Sequence, residues 1–179
     1  MPEIGIRAFR PDDVDALKQI EHDFQTDHVW QMERAFEPGN YSLRFRETRL
    51  PRVIRVESPK GIDWEDADML VKSKGLVAVM QDAPVGYAFF KVQKDTRSAW
   101  VFDLIVKKQL RRQGIGSALL FAVQDWATRD RLKRLVLEMQ SKNYPAIRFA
   151  QKLGFEFCGY NDHYYSNQDI ALFFARYFR

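Results

Sequence analysis

A short apolar run, a turn with two glycines and an amphipathic helical pattern follow one another without a break in VFDLIVKKQLRRQGIGSALLFAVQDW, residues 101–126. The first six residues have the length and composition of a buried strand. Leu119, Ala122, Val123 and Trp126 then recur at offsets of three, four and seven, the spacing of one helix face. Between the two lies Arg111-Arg112-Gln113-Gly114-Ile115-Gly116-Ser117. Two glycines at the start of a helix clear side chains away from the backbone, and the first helical N–H groups have no partner within the helix. With the positive end of the helix dipole and the charges of Arg111 and Arg112, the turn is a site for an anion, of the kind that cradles phosphates. It is neither of two familiar phosphate loops: no Gly-Lys-Ser/Thr is present, and no third glycine completes a dinucleotide fingerprint.

The remaining pattern, Arg-x-x-Gly-x-Gly from Arg111 to Gly116, resembles the pyrophosphate loop of the GNAT (Gcn5-related) N-acetyltransferases, with strand and helix in that family's order. Downstream, LVLEMQSKNYPAIRFAQKLGF (residues 135–155) resembles the family's next strand, an Asn, a short helix and a Gly-Phe entry to another strand. The pattern around Asp23-Phe24-Gln25-Thr26-Asp27, Tyr41-Ser42-Leu43-Arg44 and Pro51, and the run from Phe157 through Tyr164 to Phe173, look like the streptothricin acetyltransferase branch. The resemblance implies one α/β domain over residues 1–179. Its fold would be a mixed, mostly antiparallel central sheet flanked by helices, with one parallel strand pair splayed into a notch for coenzyme A.

Composition agrees with a single soluble domain. At 179 residues the chain can bury a substantial core, and one cysteine, Cys158, excludes an internal disulfide framework or a thiolate metal cluster. Neither a signal peptide at MPEIGIRAFRPDD nor an apolar run of membrane-spanning length is visible, so a cytoplasmic protein without membrane partners is expected. The net charge of +4 favours an anionic ligand without marking a nucleic-acid binder. Its local excess at Lys107, Lys108, Arg111 and Arg112 suits the phosphates of coenzyme A.

Along the chain, residues 4–9 alternate as a strand, and Pro11-Asp12-Asp13 open a helix carrying Val14, Leu17, Ile20 and Phe24 at helical spacing. His22 and His28 read as surface polarity, and no His or Cys set suggests a metal. A short strand over residues 28–32, the turn Glu37-Pro38-Gly39-Asn40 and the alternating residues 41–46 predict a hairpin where many acetyltransferases of this type place a second helix. Residues 52–75, with Pro59, Gly61 and acids at 63, 65, 66 and 68 around Trp64, read as a solvated loop or short helix; a lip drawing in a cation is the functional alternative. Then LVAVM, VGYAFFKVQ and SAWVFDLIV, with turns at residues 81–84 and 94–97, predict an antiparallel meander. A strand over residues 135–139, reached by a helical crossover, should run parallel to residues 101–106. A helix over residues 144–152 and closing strands over 155–165 and 168–178 complete the chain.

The implied chemistry is transfer of an acetyl group from acetyl-CoA to a primary amine of a small cationic acceptor, a streptothricin-like antibiotic among the candidates. A protein N-terminus or lysine is the alternative acceptor, and a catalytically silent CoA-binding regulatory module the alternative of another class. By resemblance, residues 111–117 hold the pyrophosphate, the backbone of Leu104, Ile105 and Val106 runs along the pantetheine arm, and Asn143, Ala146 and Phe149 line its path. Asp103 and Glu138, carboxylates on central strands where charge is costly unless employed or paired, are the candidate bases or amine anchors. Asp27 is nominated for substrate binding by the branch resemblance alone. Many family members place a tyrosine on the short helix to protonate the departing sulfur; Phe149-Ala150 stand there, which leaves Tyr144, Tyr160, Tyr164 and Tyr165 as the hydroxyls of that segment, Tyr144 and Tyr164 foremost. Cys158 reads as a small core residue. No metal is expected, and the oligomeric state is open between monomer and homodimer.

Overall fold

The computed structural model describes residues 3–58 and 61–178; Pro59, part of the irregular stretch, lies outside them. A seven-stranded sheet in the order β1-β4-β5-β6-β7-β9-β8 forms the body, and a separate hairpin, β2-β3, lies beside it. The strands are β1 (Ile4–Ala8), β2 (Phe24–Glu37), β3 (Asn40–Val56), β4 (Lys74–Met80), β5 (Ala83–Gln93), β6 (Ser98–Val106), β7 (Arg134–Gln140), β8 (Glu156–Asn161) and β9 (Ala171–Tyr177). The helices are α1 (Val14–Lys18), α2 (Ala67–Lys72), α3 (Ile115–Arg129) and α4 (Tyr144–Lys152). Every pairing in the large sheet is antiparallel except β6 with β7, so the expected mixed sheet with one parallel pair is the observed one.

Each face of the sheet buries its own cluster. Val101, Leu119, Val123, Leu135, Leu137, Ile147 and Phe174 belong to the one under α3 and α4, and Leu17, Ile20, Ile62, Val77, Tyr87 and Phe89 to the one under α1. Helix α3 presents Ile115, Leu119, Leu120, Val123 and Ala127 to its cluster; of the face read from the sequence Leu119 and Val123 are buried, while Ala122 and Trp126 are only partly covered. No helix among the described residues is long and apolar enough to cross a membrane.

The hairpin is longer than its sequence signal. Strand pairing runs from Glu37–Asn40 at the turn back to Phe24–Val56, interrupted where Thr26 and His28 face Ile54 and Arg49. Pro51 falls in that irregularity, where its missing N–H breaks no ladder. Trp30, Phe45, Phe157 and Phe174 join hairpin and sheet with ring centroids 5.3–6.4 Å apart.

Several expected boundaries move for identifiable reasons. The first helix stops at Lys18, and Phe24 opens β2 rather than closing the helix. The main-chain carbonyls of Glu21 and Asp23 are taken by the Arg111 guanidinium, and His22 by Tyr87, so this segment is held open by contacts far away in sequence. The β4–β5 turn is tightened to Gln81-Asp82, both at positive φ, and Ala83 already pairs. The closing strands shorten to β8 and β9. Cys158 is exposed, because β8 is an edge strand, and is not a core residue. In the irregular stretch, Asp66 caps α2 through the Met69 N–H, Asp68 pairs with Lys72 and Asp63 accepts from the Glu65 N–H, while Trp64 packs edge-on against Tyr87 and Phe89. These three acids are thus engaged by the segment's own chain.

Candidate active site

Parallel pairing of β6 with β7 covers only Ser98–Val101 against Arg134–Leu137. Beyond it the strands part, β6 continuing to Val106 along β5 and β7 to Gln140 along β9. The gap is a cleft of about 90 Å³ lined by residues that include Asp103, Leu104, Ile105, Glu138, Asn143, Ala146, Phe149 and Tyr165. The structure therefore gathers into one cavity both candidate carboxylates and five of the residues expected along the thioester arm. Val106, at the end of β6, stands 3.9 Å from the position of a Cβ on Gly116, whose nearest neighbour is Phe149 at 3.4 Å, so the glycine turn opens beside the same cleft.

The turn is built from main chain. Gly114 caps α3 at φ +89°, a left-handed position where a side chain is strained. At Gly116 a Cβ would meet the protein only at ordinary contact distance, so the protein's own packing does not require a glycine there. The first helical bond is Ala118 N–H to Gly114 O at 2.9 Å, and the N–H groups of residues 112–117 have no protein hydrogen-bond acceptor among the described residues. Six free amides at a helix start, bare of side chains at Gly114 and Gly116, fit a diphosphate. Arg112, Gln113 and Gly114 are exposed, Ile115 is buried, and Gly116 and Ser117 are partly covered. Arg111 is employed otherwise than as a free cation: its guanidinium donates to the carbonyls of Val106 (3.0 Å), Asp23 (2.9 Å) and Glu21 (2.9 Å), which ties the start of β2 to the end of β6. Asn143 caps α4, its Oδ1 accepting from the Ala146 N–H at 3.1 Å.

A register shift between Phe89 and Phe90 determines where the acid of β6 points. Phe90 pairs with Val101 and Phe89 with Asp103, leaving Phe102 as an extra residue. Without the bulge Asp103 would share a face with Val101, under α3; with it Asp103 shares the face of Tyr87 and Phe89. Glu138 follows Leu137 on β7 and so also faces away from the α3 cluster. The bulge thus brings the two carboxylates to one side of the sheet.

Their surroundings differ. Asp103 is 5% exposed. Its Oδ2 accepts from the Ile62 N–H (2.7 Å) and the Tyr87 hydroxyl (3.1 Å), while Oδ1 has no protein partner among the described residues. Burial pushes its pKa up to about 7, against the lowering influence of those two donors. Glu138 is held through Oε2 by the Trp100 indole N–H (2.8 Å) and the Tyr164 hydroxyl (3.0 Å). Tyr165, 7% exposed, lies in the field of the same carboxylate, and burial followed by the carboxylate's charge drives its pKa far upward. Tyr164 is raised to about 12 by the same two influences.

Tyr144 and Tyr164 do not line the cleft. Tyr144 stacks on the His28 ring at 4.9 Å and donates to Glu47, bracing α4 against the hairpin. Asp27 sits at the β2 irregularity, 2.7 Å from the His28 ring nitrogen, whose hydrogen bond holds its carboxyl below the ordinary value. Ala150 is fully buried in the α4 cluster, so packing leaves no room for a hydroxyl there. Of the four candidate tyrosines it is Tyr165 that lines the cleft, with Ser58 as a second hydroxyl-bearing lining residue, and His22, read as surface polarity, is half-buried and bonded to Tyr87. Neither Tyr165 nor His22 carries a local signal, since both are brought in by loops. Among the described residues no group of three or more His, Cys, Asp and Glu could hold a metal ion.

The chain is 28% identical over 161 residues to a streptothricin acetyltransferase of Streptomyces lavendulae, covering 86% of this chain and 82% of that one. Its fold matches that of a nourseothricin acetyltransferase with a TM-score of 0.82 at 23% identity, over 97% and 98% of the two chains. It also matches a putative streptothricin acetyltransferase from Bacillus anthracis in complex with acetyl coenzyme A, with a TM-score of 0.78 at 19% identity over 98% and 100%. The profile of the acetyltransferase (GNAT) family covers residues 21–155, which span the hairpin, the parted strands, the glycine turn and α4, and the chain accordingly belongs to that family.

Proposed function

We propose that this acetyltransferase moves the acetyl group of acetyl-CoA to a primary amine of a small cationic acceptor of the streptothricin type. The observation that carries this reading is the pairing, in one cleft between parted strands, of a buried carboxyl with a free oxygen and a second carboxylate anchored by aromatic donors. The streptothricin acetyltransferase relative, similar over most of both chains, supports the choice of acceptor.

Acetyl-CoA supplies a thioester carbon for the amine to attack. The amides of residues 112–117 hold the diphosphate, and the β7-facing backbone of Leu104, Ile105 and Val106, left without a strand partner, runs beside the pantetheine arm. Glu138 draws the acceptor's ammonium to the cleft. Asp103 takes one proton from that nitrogen on Oδ1, and a pKa near 7 keeps enough of it ionised at neutral pH while leaving it a competent base. As the C–S bond breaks, the nitrogen's second proton passes to the departing thiolate, to which Tyr165, keeping its own proton, offers a hydrogen bond.

Release of free thiol from acetyl-CoA, followed across streptothricin, polyamines and peptides with free N-termini, tests the reading. Turnover is expected on streptothricin or a polyamine and not on the peptides; turnover confined to the peptides overturns the choice of acceptor.

A further inference from the structure

The Asp103 carboxyl is one end of a line of hydrogen bonds that leaves the cleft. Its Oδ2 lies 3.1 Å from the Tyr87 hydroxyl, and that hydroxyl lies 3.0 Å from His22 Nε2. The three groups come from β6, β5 and the α1–β2 connection. Tyr87 is fully buried, and the space around the line is closed by residues 61 and 62. A Cβ on Gly61 would stand 2.5 Å from His22 Cε1 and 3.1 Å from Asp103 Oδ2, so the chain can close here only with a glycine. That approach is what delivers the Ile62 N–H to Asp103 at 2.7 Å.

A phenol hydroxyl has one proton, and here it has two neighbours. An ionised carboxylate is the stronger acceptor, so the Tyr87 proton points to Asp103 and the phenol oxygen is left to accept from His22. Burial, reinforced by the charge of Arg111, lowers the His22 pKa and keeps the ring neutral, which makes the donor an Nε2–H of uncharged imidazole. A donor into the phenol oxygen polarises its O–H and strengthens the bond to Asp103.

We propose that His22 is a positioning residue for the base: through Tyr87 it keeps a hydroxyl aimed at Asp103 Oδ2, which reserves Oδ1 for the amine's proton and sets how readily that proton is taken. The groups that face the line are Tyr87 from β5, the Ile62 N–H from the loop before α2, Arg111 from the turn before α3 on the His22 side, and Glu138 from β7 across the cleft. During transfer one proton passes from the amine nitrogen to Oδ1, while Tyr87 and His22 keep their own.

The role rests on Asp103 being the base proposed above, so the experiment reads the carboxyl directly as well as the reaction. The Asp103 side-chain carboxyl is titrated by ¹³C NMR in the full chain without ligand, and thiol release from acetyl-CoA is followed against pH, with melting curves confirming that each variant is folded. Tyr87→Phe should raise the Asp103 midpoint by about one pH unit and His22→Leu by about half a unit, since each weakens a bond to the charged form. His22→Gln, whose amide N–H reaches toward the same hydroxyl, should return the midpoint toward the parent value. In the Tyr87→Phe background His22→Leu should add nothing. A midpoint unmoved or lowered by His22→Leu, or a His22→Leu shift that persists in full without the Tyr87 hydroxyl, overturns the proposal. Failure of the parent protein to release thiol with any amine would instead overturn the transfer reading, and the carboxyl titration would still decide the role of His22.

Discussion

The two ends of the cleft are made of different material. The end proposed for the donor is main chain from one continuous stretch: free amides of residues 112–117 at the start of α3, with Gly114 and Gly116 clearing the approach. The end proposed for the acceptor is side chains from separate elements: Asp103 on β6 and Glu138 on β7, each held by a partner distant in sequence, and Tyr165 before β9. Main-chain groups recognise a diphosphate whatever residues carry them, so such a site tolerates variation and leaves a compact sequence trace. An acceptor site of placed side chains can be retuned residue by residue, which suits a family that shares a donor and differs in acceptors.

The sharpest way to break this contrast is at Asp103. Asp103→Asn should lower kcat about 10³-fold and abolish the acid limb near pH 7 of the rate profile, as expected for loss of a general base. It should also stabilise the fold. The folded-state pKa of Asp103 is raised, so its ionisation costs stability as pH rises from about 4 to about 7, and the melting temperature of Asp103→Asn should exceed the parent's above pH 7 and match it below pH 4. A retained acid limb would remove Asp103 as the base.

Next in size is the donor end. Gly116→Val should weaken acetyl-CoA binding about 100-fold, read by calorimetry, while stability falls by only about 1 kcal/mol, because the protein itself leaves ordinary contact space there. Equal affinity in parent and variant would move the diphosphate elsewhere. Glu138→Gln should raise KM for the amine about tenfold with little change in KM for acetyl-CoA, since only attraction to a cation is lost. The smallest effect sharpens the comparison most: Arg111→Ala should change acetyl-CoA affinity less than about threefold and raise the amine KM more, because its guanidinium is spent on the carbonyls of Glu21, Asp23 and Val106. A large loss of acetyl-CoA affinity would return Arg111 to the diphosphate.

The amino-acid sequence by itself determined the strand–turn–helix of residues 101–126, the meander, the parallel return of β7 and the Pro38-Gly39 hairpin turn. In each the signal is local: apolar periodicity, turn chemistry, or glycine before a helix. It also marked Asp103 and Glu138 as charges on strands that bury their neighbours. What only the tertiary structure decided is which groups surround those charges. The bulge at Phe102 turns Asp103 to the face of Glu138, the approach of Gly61 supplies a donor from Ile62, and loops deliver His22 and Tyr165. The first helix was overread for the same reason, its last residues being held by Arg111 and Tyr87. Periodicity reports the neighbours a residue has along its own element. The contacts that set a carboxyl's proton affinity join residues such as Asp103 and Ile62, 41 positions apart, and exist only once the sheet has brought them together.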